Sequence, residues 1–337
     1  MSSSSQSSDQ SCRFDRISGM IYGLAIGDAL GALHEFFRVT PKLPYTGIIN
    51  DKHTVTIQFQ FAKMYLPPAT VTDDTMMSLA LLESLLDNDF RYDEESVCLA
   101  YWRFANAQKT GLGRNTRALF KFKCQERNAY KGYLRRYEKG IAEGTLQECQ
   151  SNGSLMRSAP LILAREGLYD QDYAVTNPNP VNESCYQVHS ALMKGIYEGK
   201  NKAELKELVA SMSEKCDPAV KDAITDALSA DDEEKRDISG QNKGWVCHCL
   251  YAALKGFFRF EKMEQAMDYL VQIPNSDCDT NASVCGGLWG AYLGKAEMMK
   301  EKKTFENVKI IEGVSQAGKK IQELLSRGRQ APPCPPE

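Results

Sequence analysis

Along most of the chain apolar residues recur at spacings of three and four, as in Met76, Leu79, Ala80, Leu82 and Leu86, or Val97, Ala100, Tyr101 and Phe104. That period matches one face of an α-helix and not the alternation of a half-buried strand. It predicts further helices over 14–37, 154–164, 187–197, 203–212, 218–228, 245–258, 263–272, 279–293 and 304–325, with no convincing strand. The expected fold class is therefore all-α, in a single compact multi-helix domain over 13–327. A Ser-rich start, 1–12, is expected to be a disordered tail, and 328–337 a Pro-rich one. Segments 40–68 and 176–183 and the acidic run 231–237 are expected to connect helices, since like charges favour a solvated loop. No internal repeat of fixed period is present.

Composition narrows the class. With 42% hydrophobic residues among 337, the chain can bury a sizeable core without staples. Lys and Arg number 41 against 44 Asp and Glu, a net charge of -3. A dedicated nucleic-acid binder would carry a strongly basic domain, so that class is set aside. The most apolar stretches, 20–33 and 282–294, are interrupted by Asp28 or fall short of the ~20 apolar residues of a bilayer span. Eleven cysteines is an odd number, and Cys98, Cys185, Cys247, Cys249 and Cys285 fall in apolar periodic segments as small hydrophobes. This usage implies a reducing compartment, the cytoplasm or the nucleus. The polar start has neither the basic nor the apolar region of a secretory signal. Pro335 and Pro336 after Cys334 argue against a lipid anchor.

Two acidic motifs stand at helix starts. Thr72-Asp73-Asp74-Thr75 precedes the run from Met76, and Asp277-Cys278-Asp279-Thr280 precedes a small-residue helix. Part of this is ordinary capping: a hydroxyl satisfies orphan N–H groups, and carboxylates suit the positive end of the helix dipole. In the second motif Asp279 would be the cap. Yet each start offers two carboxylates and a hydroxyl, more negative oxygen than capping uses. Brought together, they would repel unless a cation lay between them. Oxygen donors without Cys or His suit Mg²⁺ or Mn²⁺ rather than Zn²⁺. Two such ions ~3.5–4 Å apart are a general device for hydrolysis. From this chemistry alone, phosphoester, peptide and glycosidic bonds are all open.

Gly23, Gly27 and Gly31 repeat every four residues and make a flat stripe against which another backbone can pack closely. Each glycine costs up to ~1 kcal/mol of helix propensity, so the stripe should have a packing or site purpose. Asp28 and Glu35 share a face of that helix. Ser151 to Pro160 is a small polar turn feeding a helix, whose backbone N–H groups can cradle an anion. Gly111-Leu112-Gly113 is a weaker turn of the same kind. Cys247-His248-Cys249 reads as structural, because successive helical residues point in different directions. From 114 to 139, nine Lys/Arg against two Glu, interleaved with aromatics, fit a solvated helix face better than a polyanion site.

In this order the motifs resemble the ADP-ribosylglycohydrolases, a family that includes dinitrogenase-reductase-activating glycohydrolases and ADP-ribosylhydrolases. The elements are Gly27-Asp28-Ala29-Leu30-Gly31 with Glu35, Thr72-Asp73-Asp74-Thr75, Gly111-Leu112-Gly113, Asn152-Gly153-Ser154-Leu155-Met156-Arg157, and Asp277-Cys278-Asp279-Thr280-Asn281-Ala282. They extend over 17–293. The resemblance implies an all-α domain with two Mg²⁺, or Mn²⁺, in a cleft. The positions matching the family's metal ligands are Thr72, Asp73, Asp74, Asp277, Asp279 and Thr280. It further implies Glu35, Asp73, Asp74, Asp277 and Asp279 as the catalytic acids, with Glu35 closing over the metals. Glu35, Gly111, Gly113, Asn152, Gly153, Ser154 and Asn177 would contact substrate, and Phe36 or a tyrosine would stack on adenine. Two positions depart from the family pattern. Asn275 and Ser276 stand where two glycines are usual, and Asn177 stands for a histidine. Asn can hydrogen-bond but cannot take a proton near neutral pH.

The expected function is metal-dependent hydrolysis of the glycosidic bond between ADP-ribose and an acceptor. The acceptor would be an ADP-ribosylated protein side chain, poly(ADP-ribose) or an O-acyl group, and the enzyme a monomer. A different class of reading is a catalytically weak or inactive relative that binds ADP-ribose. A third, from the acid pairs alone, is a two-metal phosphoesterase.

Overall fold

The computed structural model describes residues 2–35, 46–49, 55–58, 63–66, 69–107, 112–120, 135, 138–144, 149–165, 171–230, 235–314 and 316–330. Among these the helices are α1 (Ser2–Ala32), α2 (Asp73–Asp87), α3 (Glu94–Ala107), α4 (Arg114–Phe120), α5 (Asp172–Thr176), α6 (Pro180–Tyr197), α7 (Lys202–Ser213) and α8 (Pro218–Leu228). They continue with α9 (Val246–Arg259), α10 (Met263–Val271), α11 (Cys278–Leu293), α12 (Lys295–Met298), α13 (Lys302–Val314) and α14 (Gln316–Gln330). The all-α expectation holds. One antiparallel hairpin, β1 (Val55–Gln58) with β2 (Lys63–Leu66), lies in the segment expected to be a plain connection. Four-residue strands offer too few positions for a period to register.

Three boundaries differ from those the pattern predicts. The helix predicted over 14–37 is α1, Ser2–Ala32. The predicted helix over 154–164 is instead two 3₁₀ turns, Asn152–Ser154 and Ala159–Leu163. Pro160 lies at the start of the second turn and has no N–H to continue an α-helix through it. The predicted helix over 304–325 is two, α13 and α14, on either side of residue 315.

The centre of the molecule is the antiparallel seam between α1 and α11. Every residue of α11 from Cys278 to Ala291 is buried, the mark of a helix enclosed on all sides. The glycine stripe makes this approach feasible. A Cβ on Gly23 would stand 2.1 Å from the Gly286 carbonyl oxygen, and one on Gly27 would stand 2.0 Å from that of Ala282. Gly286 and Gly290 reciprocate against Gly23 and Gly19, so the stripe extends one turn further than the predicted three glycines. Because the helices run antiparallel, the C-terminal end of α1 meets the N-terminal end of α11. Gly31 sits against the backbone of Asp279, bringing Asp28 and Glu35 beside the second acidic motif.

Candidate metal centre

The start of α2 is fixed to α1 by Asp28. This fully buried carboxylate accepts from the backbone N–H of Thr72 at 3.0 and 2.9 Å, from that of Thr75 at 3.0 Å, and from the Thr75 hydroxyl. Thr72 is the N-cap, as capping predicts, its Oγ1 accepting from Asp74 N at 3.4 Å. The same Oγ1 lies 2.9 Å from an oxygen of Asp28 and 2.9 Å from one of Asp74. Its single proton serves one of them at a time. Capping fails to account for the second motif. The N-cap of α11 is Asp277, not the expected Asp279, and its side chain makes no capping bond. Asp279 lies in the first turn.

Oxygens of Asp28, Asp74 and Asp279 lie within 4.8 Å of one another, and so do oxygens of Glu35, Asp277 and Asp279. Asp279 therefore belongs to both an inner and an outer group of three. Asp74 Oδ1 and Asp279 Oδ1 are buried without a hydrogen-bond partner among the described residues. A buried acceptor left unsatisfied costs ~1–3 kcal/mol, more when charged, unless something occupies it. The donor set is entirely oxygen, so these residues fit a hard divalent cation. Neither group includes Cys247, His248 or Cys249. Thr280 is buried in the first turn of α11, and Asp73 accepts from Gly113 N at 3.2 Å.

Burial is the first cause of an upward pKa displacement on every acid of this cluster that moves. Burial pushes Asp73 up to about 7, with the charges of Asp28 and Asp277 adding to the rise. Asp74 and Asp279 are driven well above the usual range by burial, then by neighbouring carboxylates. Glu35 is raised by burial and Asp277, against the opposing Lys243. Between the unfolded value of ~3.9 and the folded value of about 7, the native protein binds more protons than the unfolded chain at Asp73, so stability falls as pH rises. Chelated protein is thus expected to melt at a lower temperature at pH 8 than at pH 5.5. Added Mg²⁺ should raise Tm more at pH 8 than at pH 5.5, where it competes with protons; scanning calorimetry at both pH values checks the sign.

Beside the acids, the turn at 152–154 is tied to the outer group: Asn152 Nδ2 donates to Asp277 Oδ2 at 2.7 Å. Two other positions expected to touch substrate brace this turn from behind. Asn177 is fully buried, donates to the Cys149 carbonyl at 2.7 Å and the Ser151 hydroxyl at 3.2 Å, and accepts from Thr176 at 2.7 Å. Ser154 Oγ is fully buried and accepts from Asn182 at 2.9 Å. Gly153 offers its carbonyl to Arg157 at 2.7 Å. The N–H of Gly113 is engaged with Asp73. Gly111, Phe36 and most of 114–139 lie outside the described residues. The Asn275 departure has a conformational account: its φ is 56°, in the left-handed region that Asn tolerates after Gly.

Three residues matter that the motifs did not single out for the site. Asp28 organises α2. Lys243, on the loop before α9, reaches Glu35 Oε1 at 2.9 Å. Arg157 is fully buried, pairs with Asp172 at 2.8 Å and donates to Gly153 and Thr176, so it underlies the whole turn. Arg157→Met should leave Asp172 buried and uncompensated, costing ~3–5 kcal/mol of stability in urea unfolding. Arg157→Lys, which cannot reproduce the fork of bonds, should lose most of that.

The family model described as ADP-ribosylglycohydrolase matches residues 9–325. The ADP-ribosylarginine hydrolase Tri1 of Pseudomonas putida is 26% identical over 327 residues, covering 94% of this chain and 79% of that protein. The ADP-ribosyl-[dinitrogen reductase] glycohydrolase of Rhodospirillum rubrum is 23% identical over 292 residues, covering 83% and 86%. A solved ADP-ribosylglycohydrolase-related protein complex contains a chain that superposes with a TM-score of 0.67 at 25% identity, covering 95% of this chain and 99% of that one.

Proposed function

The chain belongs to the ADP-ribosylglycohydrolase family, and from that premise we propose that it hydrolyses the glycosidic bond joining ADP-ribose to a protein side chain, with Mg²⁺ or Mn²⁺ in the acid cluster. The observation that carries this reading is the pair of buried oxygens, Asp74 Oδ1 and Asp279 Oδ1, without a hydrogen-bond partner among the described residues, within five converging carboxylates, with Asp73 in electrostatic reach. The ligands are Thr72, Asp73, Asp74, Asp277, Asp279 and Thr280, with Asp28 joining the inner group. When bound, two such cations supply positive charge that polarises a water and the ribose oxygens.

The chain's own groups do the rest. Asn152 holds one oxygen of Asp277, which fixes that carboxylate's orientation. Gly113 N holds one oxygen of Asp73 in the same way. Asp73, which lies within electrostatic reach of Asp28 and Asp277, is the carboxylate we assign to take the proton from an attacking water. The water oxygen bonds to the anomeric carbon as the bond from that carbon to the acceptor breaks through an oxocarbenium-like state, and the departing acceptor atom takes up a proton. Glu35, at the outer edge with its side chain 17% exposed, meets substrate first. The Asn152–Ser154 turn and Gly113 line the diphosphate side. Asn177 acts behind that turn, as a brace.

An arginine-linked ADP-ribosyl protein is the first acceptor to test, because one curated relative is an ADP-ribosylarginine hydrolase. Mass spectrometry of products from Arg-linked and Ser-linked peptides and O-acetyl-ADP-ribose, with Mg²⁺ or chelator, decides the reaction. Chelator-sensitive release of intact ADP-ribose from the Arg-linked peptide is the expected result. Release of AMP would make the protein a phosphoesterase. No release, with ADP-ribose still raising Tm, would make it a binding relative.

A further inference from the structure

The outer acid group already has a cation of its own. Lys243 Nζ stands 2.9 Å from Glu35 Oε1, and Glu35, Asp277 and Asp279 present oxygens within 4.8 Å of one another. Among the described residues, Asp28 and Asp74 of the inner group are bonded instead by the hydroxyls and backbone N–H groups of Thr72 and Thr75. The placement of Lys243 is built in. Its loop is pinned on both sides, by Gly240 N to the Asn275 carbonyl at 3.1 Å and by Asn152 N to the Gly244 carbonyl at 3.0 Å. Gly244 approaches so closely that a Cβ there would stand 3.2 Å from Asp277 Oδ2. The side chain of Lys243 is 27% exposed, on a flexible four-carbon stem, so its head can leave toward solvent while its backbone stays fixed.

We propose that Lys243 is the resident counter-ion of the outer acid group, so that the two cation sites are unequal: the inner one fills first, and a divalent ion enters the outer one only by displacing the lysine ammonium from Glu35. This rests on the reading that the acid cluster holds divalent cations. An ammonium and a divalent ion at the same carboxylate oxygens repel, so each site occupied by one excludes the other. Occupancy of the second site then rises with cation concentration, as the lysine ammonium is released from Glu35.

Isothermal titration calorimetry of the full chain with Mn²⁺, beside Lys243→Met, tests this without reference to activity. Methionine keeps the length of the stem and removes the charge. The wild type should bind one ion tightly and a second at least ~10-fold more weakly, ~10-fold being 1.4 kcal/mol. Lys243→Met should tighten the weak site about 10-fold and leave the tight site within twofold. A second readout has the opposite sign in the two conditions. In chelator the variant should melt below the wild type, because Glu35 loses its partner among like charges; in saturating Mn²⁺ it should melt at or above it. Two equal sites in the wild type, unchanged by Lys243→Met, would overturn the proposal and leave the metal centre standing. A loss of both sites in the variant would overturn it by making Lys243 a structural support. No Mn²⁺ binding to either protein would overturn both this proposal and the metal centre on which it rests.

Discussion

Asp279→Ala is expected to abolish Mg²⁺-dependent thermal stabilisation and to lower ADP-ribose release by at least ~10³-fold. Asp279 is the one carboxylate common to the inner and outer groups, so its removal takes a ligand from both cation positions at once. Charge stabilisation by bound cations is worth several kcal/mol, and at 1.36 kcal/mol per tenfold, ~10³ corresponds to ~4 kcal/mol. The effect on the chelated protein has the opposite direction. Asp279 is buried, its pKa driven up by burial and by Glu35, Asp277, Asp74 and Asp28, so ionising it near neutral pH opposes folding. Without metal, the alanine variant should therefore melt no lower than the wild type, and higher at pH 8. That pairing separates a lost metal site from a lost fold. Retention of the Mg²⁺ shift in fluorimetry would show that the cation binds elsewhere, and Asp277→Ala, which spares the inner group, should lose only part of the shift.

The elements that carry the site were visible in the sequence where a single segment holds the whole signal. The every-fourth glycine pattern of α1 predicts a close backbone partner, and α11 is that partner. The two acidic motifs predict an excess of negative oxygen at helix starts, and the structure brings those starts together. What was not legible depends on where distant segments land. Asp28 stands alone in the apolar stretch of its helix, and its bonds go to Thr72 and Thr75, more than forty residues on. Lys243 meets Glu35 across 208 positions, and nothing in its loop sequence announces an acid partner. Arg157 falls inside a recognised motif, yet its burial and its pairing with Asp172 follow from the turn it underlies. Local rules also misled where a cap was assigned by residue type alone. Asp279 has the chemistry of an N-cap, but the backbone places Asp277 there and leaves both carboxylates for other work.

Gly27→Ala is expected to destabilise the protein by more than ~3 kcal/mol in urea unfolding, and to weaken Mg²⁺ binding in whatever folded protein remains. The added Cβ would stand 2.0 Å from the Ala282 carbonyl oxygen, 2.3 Å from its carbon and 2.7 Å from Ser283 N. Carbon and oxygen touch at ~3.3 Å, so the helices must part by roughly an ångström. Ordinary overpacking costs ~1–3 kcal/mol because side chains can yield. Here every opposing atom is backbone, and the neighbouring contacts at Gly23 and Gly31 are as tight, so the seam has nothing to yield with. A loss of that size is a large part of the ~5–15 kcal/mol that holds a typical domain together. The site is affected through the same displacement. Asp28 follows Gly27 directly and Asp279 lies one turn from Ala282, so parting the helices separates two carboxylates that must stay within 4.8 Å. Gly313→Ala is the matched control: a Cβ there meets nothing within 4 Å among the described residues, and the better helix propensity of alanine should add up to ~1 kcal/mol. Opposite signs for the same substitution in two helices of one protein would locate the requirement in the seam; equal effects would remove the glycine stripe as the reason α1 and α11 can bring their acids together.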